Sequence, residues 1–391
     1  CCSLAENSEI IINSRSNKSI ALEIGQALRD DTCTKDFSSD VFLNSSLLNM
    51  YSKCGAIMEA ECMFGSLSQP NIVLWSTMLT LYVEQEQGEK ALQLYMKMQE
   101  ERVDPDEQTI VCALRAVCIL AESEEALVGE RWPIKVISLE IGCGLHADAR
   151  RKGLASDVFV CNTLVSMYGK CGALVEAEQV FGAMSNRNVI SWTAMISAYH
   201  EHGQGDKALQ LYAQMQHESV HADQLTYMIA LQACGILTEK EEASSALKEI
   251  SYKIIALEIG QLLHDDVKMK GFGSDAFIGT ALLNMYGKCG DIIGAEKVFE
   301  TLVTHDVVSW SAMLSAYIDQ NEGQKALQVY RQMQEERLCI DQLTSIIALQ
   351  ACSIIAEGDE MPVSTGMSRK TFALEIGRAL HAVARRKGFA S

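Results

Sequence analysis

Met50-Tyr51-Ser52-Lys53-Cys54-Gly55 returns as Met167-Tyr168-Gly169-Lys170-Cys171-Gly172 and again as Met285-Tyr286-Gly287-Lys288-Cys289-Gly290. Trp75, Trp192 and Trp310 recur at the same two offsets. So does Leu-Glu-Ile-Gly, beginning at Leu22, Leu139, Leu257 and Leu374. Three unrelated markers keeping one spacing identify an internal repeat, the most informative feature a sequence of this length can show.

Each long period divides into three smaller units. Val158 to Asn188 holds a helical stretch, a Cys-Gly break and a second helix from Leu174 to Met184. Val189 to Asp223 repeats that plan, with Trp192, Met195, Ile196 and Tyr199 on one apolar face. A turn over Gly203–Gly205 follows, then Ala208, Leu211, Tyr212 and Met215 on the partner helix. Gln224 to Asp275 is longer, with an extra stretch before Leu257.

No single unit can bury its own apolar face, so neighbours must stack. The expected fold is all-α, a right-handed α-solenoid (superhelix) of helix-turn-helix repeats forming one continuous domain. Residues 1–40 close a long repeat, and 41–157, 158–275 and 276–391 form three triplets, the last truncated. The four prolines fit, because Pro70, Pro105, Pro133 and Pro362 all fall outside the inferred helices. Segments 119–137, 237–255 and 355–372 are insertions, expected as loop-like excursions.

The formal charge of −18 argues against loose, non-specific contact with nucleic acid. The insertions do not explain it: residues 122–135, 239–253 and 357–370 carry only −2, −1 and −1. Fourteen cysteines occur without one Cys-x-x-Cys pair, and no His-x-Glu is present, so zinc spacing is absent. Reduced cysteines filling core gaps account for them. No metal, cofactor, small-molecule substrate or catalytic role is expected of this segment. No apolar run approaches a membrane span. The chain begins Cys1-Cys2-Ser3, with neither a methionine nor a basic targeting stretch, and reads as an internal segment.

Trp192-x-x-Met195-Ile196-x-x-Tyr199 is near the tetratricopeptide signature, but Ile196 stands where that family wants glycine. Asn188-Val-Ile-Ser-Trp-Thr-Ala-Met-Ile-Ser-Ala-Tyr199, with Lys207-Ala-Leu-Gln-Leu-Tyr212, instead resembles the pentatricopeptide repeat. So do Val158-Phe-Val-Cys-Asn-Thr-Leu164 and the Ala-Glu-x-Val-Phe of 177–181. The alternation of standard, long and short units resembles the class found in land-plant organellar proteins. The lengthened third unit departs from that pattern.

The resemblance implies a modular reader of single-stranded RNA, one base per repeat. It implies work in mitochondrion or chloroplast, in RNA processing or as the target-recognition part of C-to-U editing, with editing partner proteins. Two places in each repeat would read the base: the fifth residue, on the first helix, and the last. In the Trp-containing units these are Ser76 with Asp106, Thr193 with Asp223, and Ser311 with Asp341. In the short units they are Ser45 with Asn71, Asn162 with Asn188, and Thr280 with Asp306.

An ionised Asp only accepts hydrogen bonds and suits the ring N–H of guanine or uracil. An Asn can donate, which suits the bare ring nitrogen of adenine or cytosine. Val111, Met228 and Ile346 hold the first place in the long units and cannot hydrogen-bond. The implied target is A-G-n-Y-G-n-G-G, from 5′ to 3′.

Each terminal Asp also suits a helix N-cap, so two roles stand open there. Trp75, Trp192 and Trp310 are expected in the core, and His146, His264 and His381 as structural histidines. Lys53, Lys170 and Lys288 end first helices, where phosphates could be met. A protein-binding solenoid of tetratricopeptide type, without RNA, is the alternative, and an evenly acidic groove would favour it.

Overall fold

The computed structural model describes residues 11–12, 15–34, 41–67, 69–128, 135–239, 246–336, 338, 340–357 and 369–386. The elements among them are helices, apart from a two-residue antiparallel pair, Ile11–Ile12 with Arg15–Ser16. The chain divides into two compact units, Cys1–Ala198 and Tyr199–Ser391.

In the first unit α1 (Asn17–Thr34) is followed by the hairpins α2 (Val41–Cys54) with α3 (Ile57–Gly65) and α4 (Ile72–Glu84) with α5 (Gly88–Glu100). Next come α6 (Glu107–Val128) with α7 (Val136–Arg151), and α8 (Val158–Lys170) with α9 (Leu174–Ala183). Helix α10 (Val189–Glu201) spans the division. The second unit holds α11 (Gly205–His217), then α12 (Gln224–Glu239) with α13 (Ala246–Met269) and α14 (Ala276–Cys289) with α15 (Ile292–Thr301). It continues with α16 (Val307–Asp319) and α17 (Gly323–Glu335), then α18 (Gln342–Glu357) and α19 (Arg369–Arg386).

Within each unit, first helices pack in succession: α2 on α4, α4 on α6, α6 on α8, and in the second unit α12 on α14, α14 on α16, α16 on α18. A second helix packs on its own first helix and on the first helix of the next repeat, as α5 does on α4 and α6. This is the all-α stacking of a solenoid, present in both units. The sequences follow from those roles. First helices are flanked on both sides and are apolar almost throughout. Second helices are amphipathic: on α17, Ala326, Leu327, Tyr330 and Met333 are buried. Its Gln and charged residues occupy the other face.

The repeated hexapeptide shows why its residues recur. Tyr168 and Tyr286 are core residues whose hydroxyls meet Nδ1 of His146 and His264, at 2.8 and 2.9 Å. Both histidines are structural, and burial holds each below the ordinary 6.5. His381, at the equivalent place of α19, is exposed instead. Gly169 and Gly287 let helices approach closely, since an added Cβ would lie 2.7 and 2.8 Å from the Cβ of Ala198 and Ala316. Gly55, Gly172 and Gly290 take φ of +70°, +79° and +84°, the left-handed turn that ends the first helix. Cys171 and Cys289 are buried, each with its thiol on the Met four residues earlier.

The tryptophans lie in the core. Trp75, Trp192 and Trp310 are buried edge-on to Phe64, Phe181 and Phe299, with centroids 4.9, 5.0 and 4.8 Å apart. The insertions differ from expectation where they are described. Helix α6 runs on to Val128, and α13 takes in residues 246–255. Helical continuation satisfies backbone groups that a loop would leave to solvent. Residues 129–134, 240–245 and 358–368 of these segments, Pro133 and Pro362 among them, lie outside the described ones.

Candidate functional site

The six terminal residues named from the sequence all sit at the N-terminus of the following first helix, and all six cap it. Asn71 Oδ1 accepts the Leu74 amide N–H at 3.0 Å, and Asn188 Oδ1 that of Ser191 at 3.0 Å. Asp106, Asp223, Asp306 and Asp341 do the same for Thr109, Thr226, Ser309 and Thr344, at 2.7–2.9 Å. The cause is local. Short polar side chains in extended backbone satisfy the amides that a helix start leaves open. Capping takes one side-chain oxygen of each residue. An Asp has a second oxygen, and an Asn has its NH2, beyond the one that caps.

The fifth-place residues lie on the first helices, mostly buried. Ser76, Asn162, Thr193 and Ser311 are buried, while Ser45 and Thr280 are half-buried. The hydroxyls of Thr193, Thr280 and Ser311 donate to the carbonyl four residues earlier, and that of Ser76 to Val73, three earlier. Asn162 behaves otherwise. Its Nδ2 lies 3.4 Å from Asn188 Oδ1, and Ser191 Oγ donates to its Oδ1 at 2.6 Å. That pair is brought together. Ser311 and Asp341 are joined through Thr344, whose hydroxyl lies 3.1 Å from Ser311 Oγ and donates to Asp341. Thr193 and Asp223 belong to different units.

Sequence reasoning misses a series of apolar residues. Phe42, Phe159 and Phe277 in the short units, and Val73, Ile190 and Val308 in the Trp-containing ones, stand exposed at the second place of the first helix. Phe42 is 86% exposed, although Leu47, Leu48, Met50 and Tyr51 of the same helix are buried. Leu225 and Leu343 continue the series in the long units. Its signal is its register. In helices this apolar, however, one more apolar residue reads as core.

In the first unit two of these groups, Asn162 and Ile190, face one cavity of about 700 Å3. Arg115, Lys170, Glu86, Glu122 and Ser166 line it as well, so its charged groups balance. Lys170 is held there by Glu122 at 3.1 Å, and in the second unit Lys288 pairs with Glu239. The lysines expected to meet phosphate therefore already have partners. Cys118, on the same wall, is pushed up to about 12 by burial, so its thiol stays protonated and unreactive.

Charge is distributed unevenly. Helices α2, α8 and α14 each carry one charged residue, Lys53, Lys170 and Lys288. Helices α4, α10 and α16 each carry one, Glu84, Glu201 and Asp319. The six helices bearing the polar fifth-place residues are thus neutral in sum, with charge confined to their ends. The −18 of the chain lies elsewhere.

Known proteins share this repeat. Residues 70–119 and 187–235 match the PPR repeat family, and 159–189, 280–307 and 308–338 match the PPR repeat. A chloroplastic pentatricopeptide repeat-containing protein of Arabidopsis thaliana, CRR2, is 31% identical over 352 residues, 89% of this chain and 49% of that protein. Another from Arabidopsis thaliana, named as mitochondrial, is 29% identical over 334 residues, 85% of this chain and 50% of its own length. The chain spans about half the length of these relatives. The solved structure of the pentatricopeptide repeat protein PPR10 with an 18-nt psaJ RNA element aligns over 92% of this chain and 57% of that one. Its identity is 15% and its TM-score 0.40. The helix pairs within residues 70–119, 159–189, 187–235, 280–307 and 308–338 match pentatricopeptide repeats, and the relatives named above are pentatricopeptide repeat-containing proteins.

Proposed function

We propose that the chain binds single-stranded RNA, one base per short or standard repeat, as the recognition part of an organellar RNA-processing or editing factor. One observation supports this most: the Asn162 amide and the exposed Ile190 line a single cavity in the first unit, where the cations Arg115 and Lys170 are balanced by Glu86 and Glu122. Such a space suits a base, with its edge on Asn162, whose Nδ2 lies 3.4 Å from Asn188 Oδ1, and its face on Ile190. The exposed second-place residues would supply that apolar face repeat by repeat, and base stacking contributes about 1–3 kcal/mol per base. The six first helices are neutral in sum, which lessens the repulsion the −18 implies, while the four capping Asp residues keep some negative charge beside the bases.

The six pairs assign the target A-G-n-Y-G-n-G-G. The long repeats, with Val111, Met228 and Ile346 at the fifth place, would act as spacers. The chain's organellar relatives are the ground for placing this work in chloroplast or mitochondrion, and the alternating repeat types are the ground for editing with partner proteins.

The test is a selection from random single-stranded RNA at two salt concentrations. The expected result is enrichment of the four guanine positions. Enrichment unrelated to them would defeat the base assignments, and absence of binding at low salt would leave a protein-binding scaffold. Asp223→Asn is expected to move the preference at its one base from guanine toward adenine.

A further inference from the structure

Capping and base reading fall on the same side chains, and at Asn188 the two demands meet. Asn188 Oδ1 accepts the Ser191 amide N–H at 3.0 Å, and its own backbone N–H donates to Ser191 Oγ at 3.2 Å. Ser191 Oγ has two acceptors in reach, Asn162 Oδ1 at 2.6 Å and Asn188 Oδ1 at 3.1 Å. A hydroxyl carries one hydrogen, so the shorter contact takes it. Asn162 Nδ2 then faces Asn188 Oδ1 at 3.4 Å. Ser191 is fully buried, so water does not compete for these bonds.

We propose that Ser191 is a positioning residue for base recognition, an inference that rests on the RNA reading above. It holds two amides in one orientation each. The oxygen of Asn188 is engaged by the helix start and that of Asn162 by the Ser191 hydroxyl. What each amide has left is mainly N–H: both hydrogens of Asn188 Nδ2 and the second hydrogen of Asn162 Nδ2. Two donors match a base edge made of acceptors. Cytosine offers O2 and a bare N3 there, whereas uracil places an N–H at N3. The pyrimidine at the fourth target position is therefore cytosine.

The same register recurs. Thr344, fully buried, links Ser311 to Asp341 in the second unit, and its hydroxyl bond goes to an oxygen that can only accept. The first short repeat is a natural exception. Leu74 stands in the place of Ser191, and Asn71 still caps at 3.0 Å. The helix start thus forms without the hydroxyl, and Ser191→Ala is expected to fold.

The experiment measures binding of the chain to three RNAs, A-G-n-C-G-n-G-G, A-G-n-U-G-n-G-G and, with the seventh base changed, A-G-n-C-G-n-A-G, for the wild type, Ser191→Ala and Ser191→Thr. Discrimination of cytosine from uracil should fall about 3–10-fold in Ser191→Ala, the range of one hydrogen bond. Ser191→Thr should restore it. Discrimination at the guanine assigned to Thr280 and Asp306 should not move, which a merely structural role for Ser191 would not predict. An unchanged cytosine preference in Ser191→Ala overturns the positioning role, as does a wild-type preference for uracil. A wild type that binds none of the three RNAs overturns the RNA reading itself, a different outcome.

Discussion

Two junctions between a short and a Trp-containing unit, α8 with α10 and α14 with α16, share everything that holds helices together and differ in how their polar residues meet. Both have a Phe ring edge-on to a buried Trp, at 5.0 and 4.8 Å, and both have a cap bond, at 3.0 and 2.8 Å. In the first, Asn162 reaches across to Asn188 and Ser191. In the second, Thr280 turns its hydroxyl onto its own helix at Ala276, 2.9 Å away. A Thr finds an acceptor one turn back; an amide has a longer reach and four bonding sites to fill. Packing and capping are thus the constant frame, and the fifth residue decides whether it and the capping residue form one network or two separate groups.

The largest effects should not distinguish the junctions. Trp192→Ala and Trp310→Ala are each expected to cost about 3–5 kcal/mol by urea denaturation, the range for an emptied core site. Losses differing by more than about 2 kcal/mol would show that the frame is not shared.

Cap removal should separate them. Asp306→Ala is expected to lose about 1 kcal/mol. Asn188→Ala should lose about 1 kcal/mol more, because it also strips a partner from Asn162 and Ser191, which are buried. Equal losses would mean that the Asn network adds nothing to the cap.

A smaller difference lies above the tryptophans. The Arg187 guanidinium sits 4.7 Å from the Phe181 ring, whereas His305 occupies that place over Phe299 at 4.3 Å. Arg187→Ala is expected to cost about 0.5–1 kcal/mol. If nothing is lost in denaturation, Arg187 only covers the surface.

The smallest effect is common to both junctions. His146 and His264 are lowered by burial, so the folded chain binds fewer protons than the unfolded one just below pH 6.5. Their contribution is complete above about 6.5 and is lost as pH falls through the lowered range. Denaturation midpoints should therefore drop between pH 7.5 and 5, and His146→Phe with His264→Phe should flatten that drop. An unaltered slope in the double variant assigns the drop to other groups.

The capping residues show how much of the site is legible in residue order. Asp106 with Thr109 and Asn188 with Ser191 carry the cap-and-third-residue spacing in the chain itself, so the bond is foreseeable. Capping is compatible with the proposed reading, since the helix start engages one side-chain oxygen of each residue. Ser191, Thr344 and the exposed second-place residues are illegible for one reason. A small hydroxyl or an aliphatic side chain on an apolar helix looks like its neighbours.

Residue order alone sets the period, the helix pairs, the glycine turns and the caps. All of these depend on backbone bonds and residues within about one turn of each other, where residue type is enough. Packing in three dimensions settles that Val73 is exposed while its neighbour Leu74 is buried. It also settles that Lys170 meets Glu122, and that Asn162 meets Asn188. Those outcomes depend on how closely successive first helices approach and rotate against one another. Periodicity records that a face is apolar, but not which neighbour closes over it.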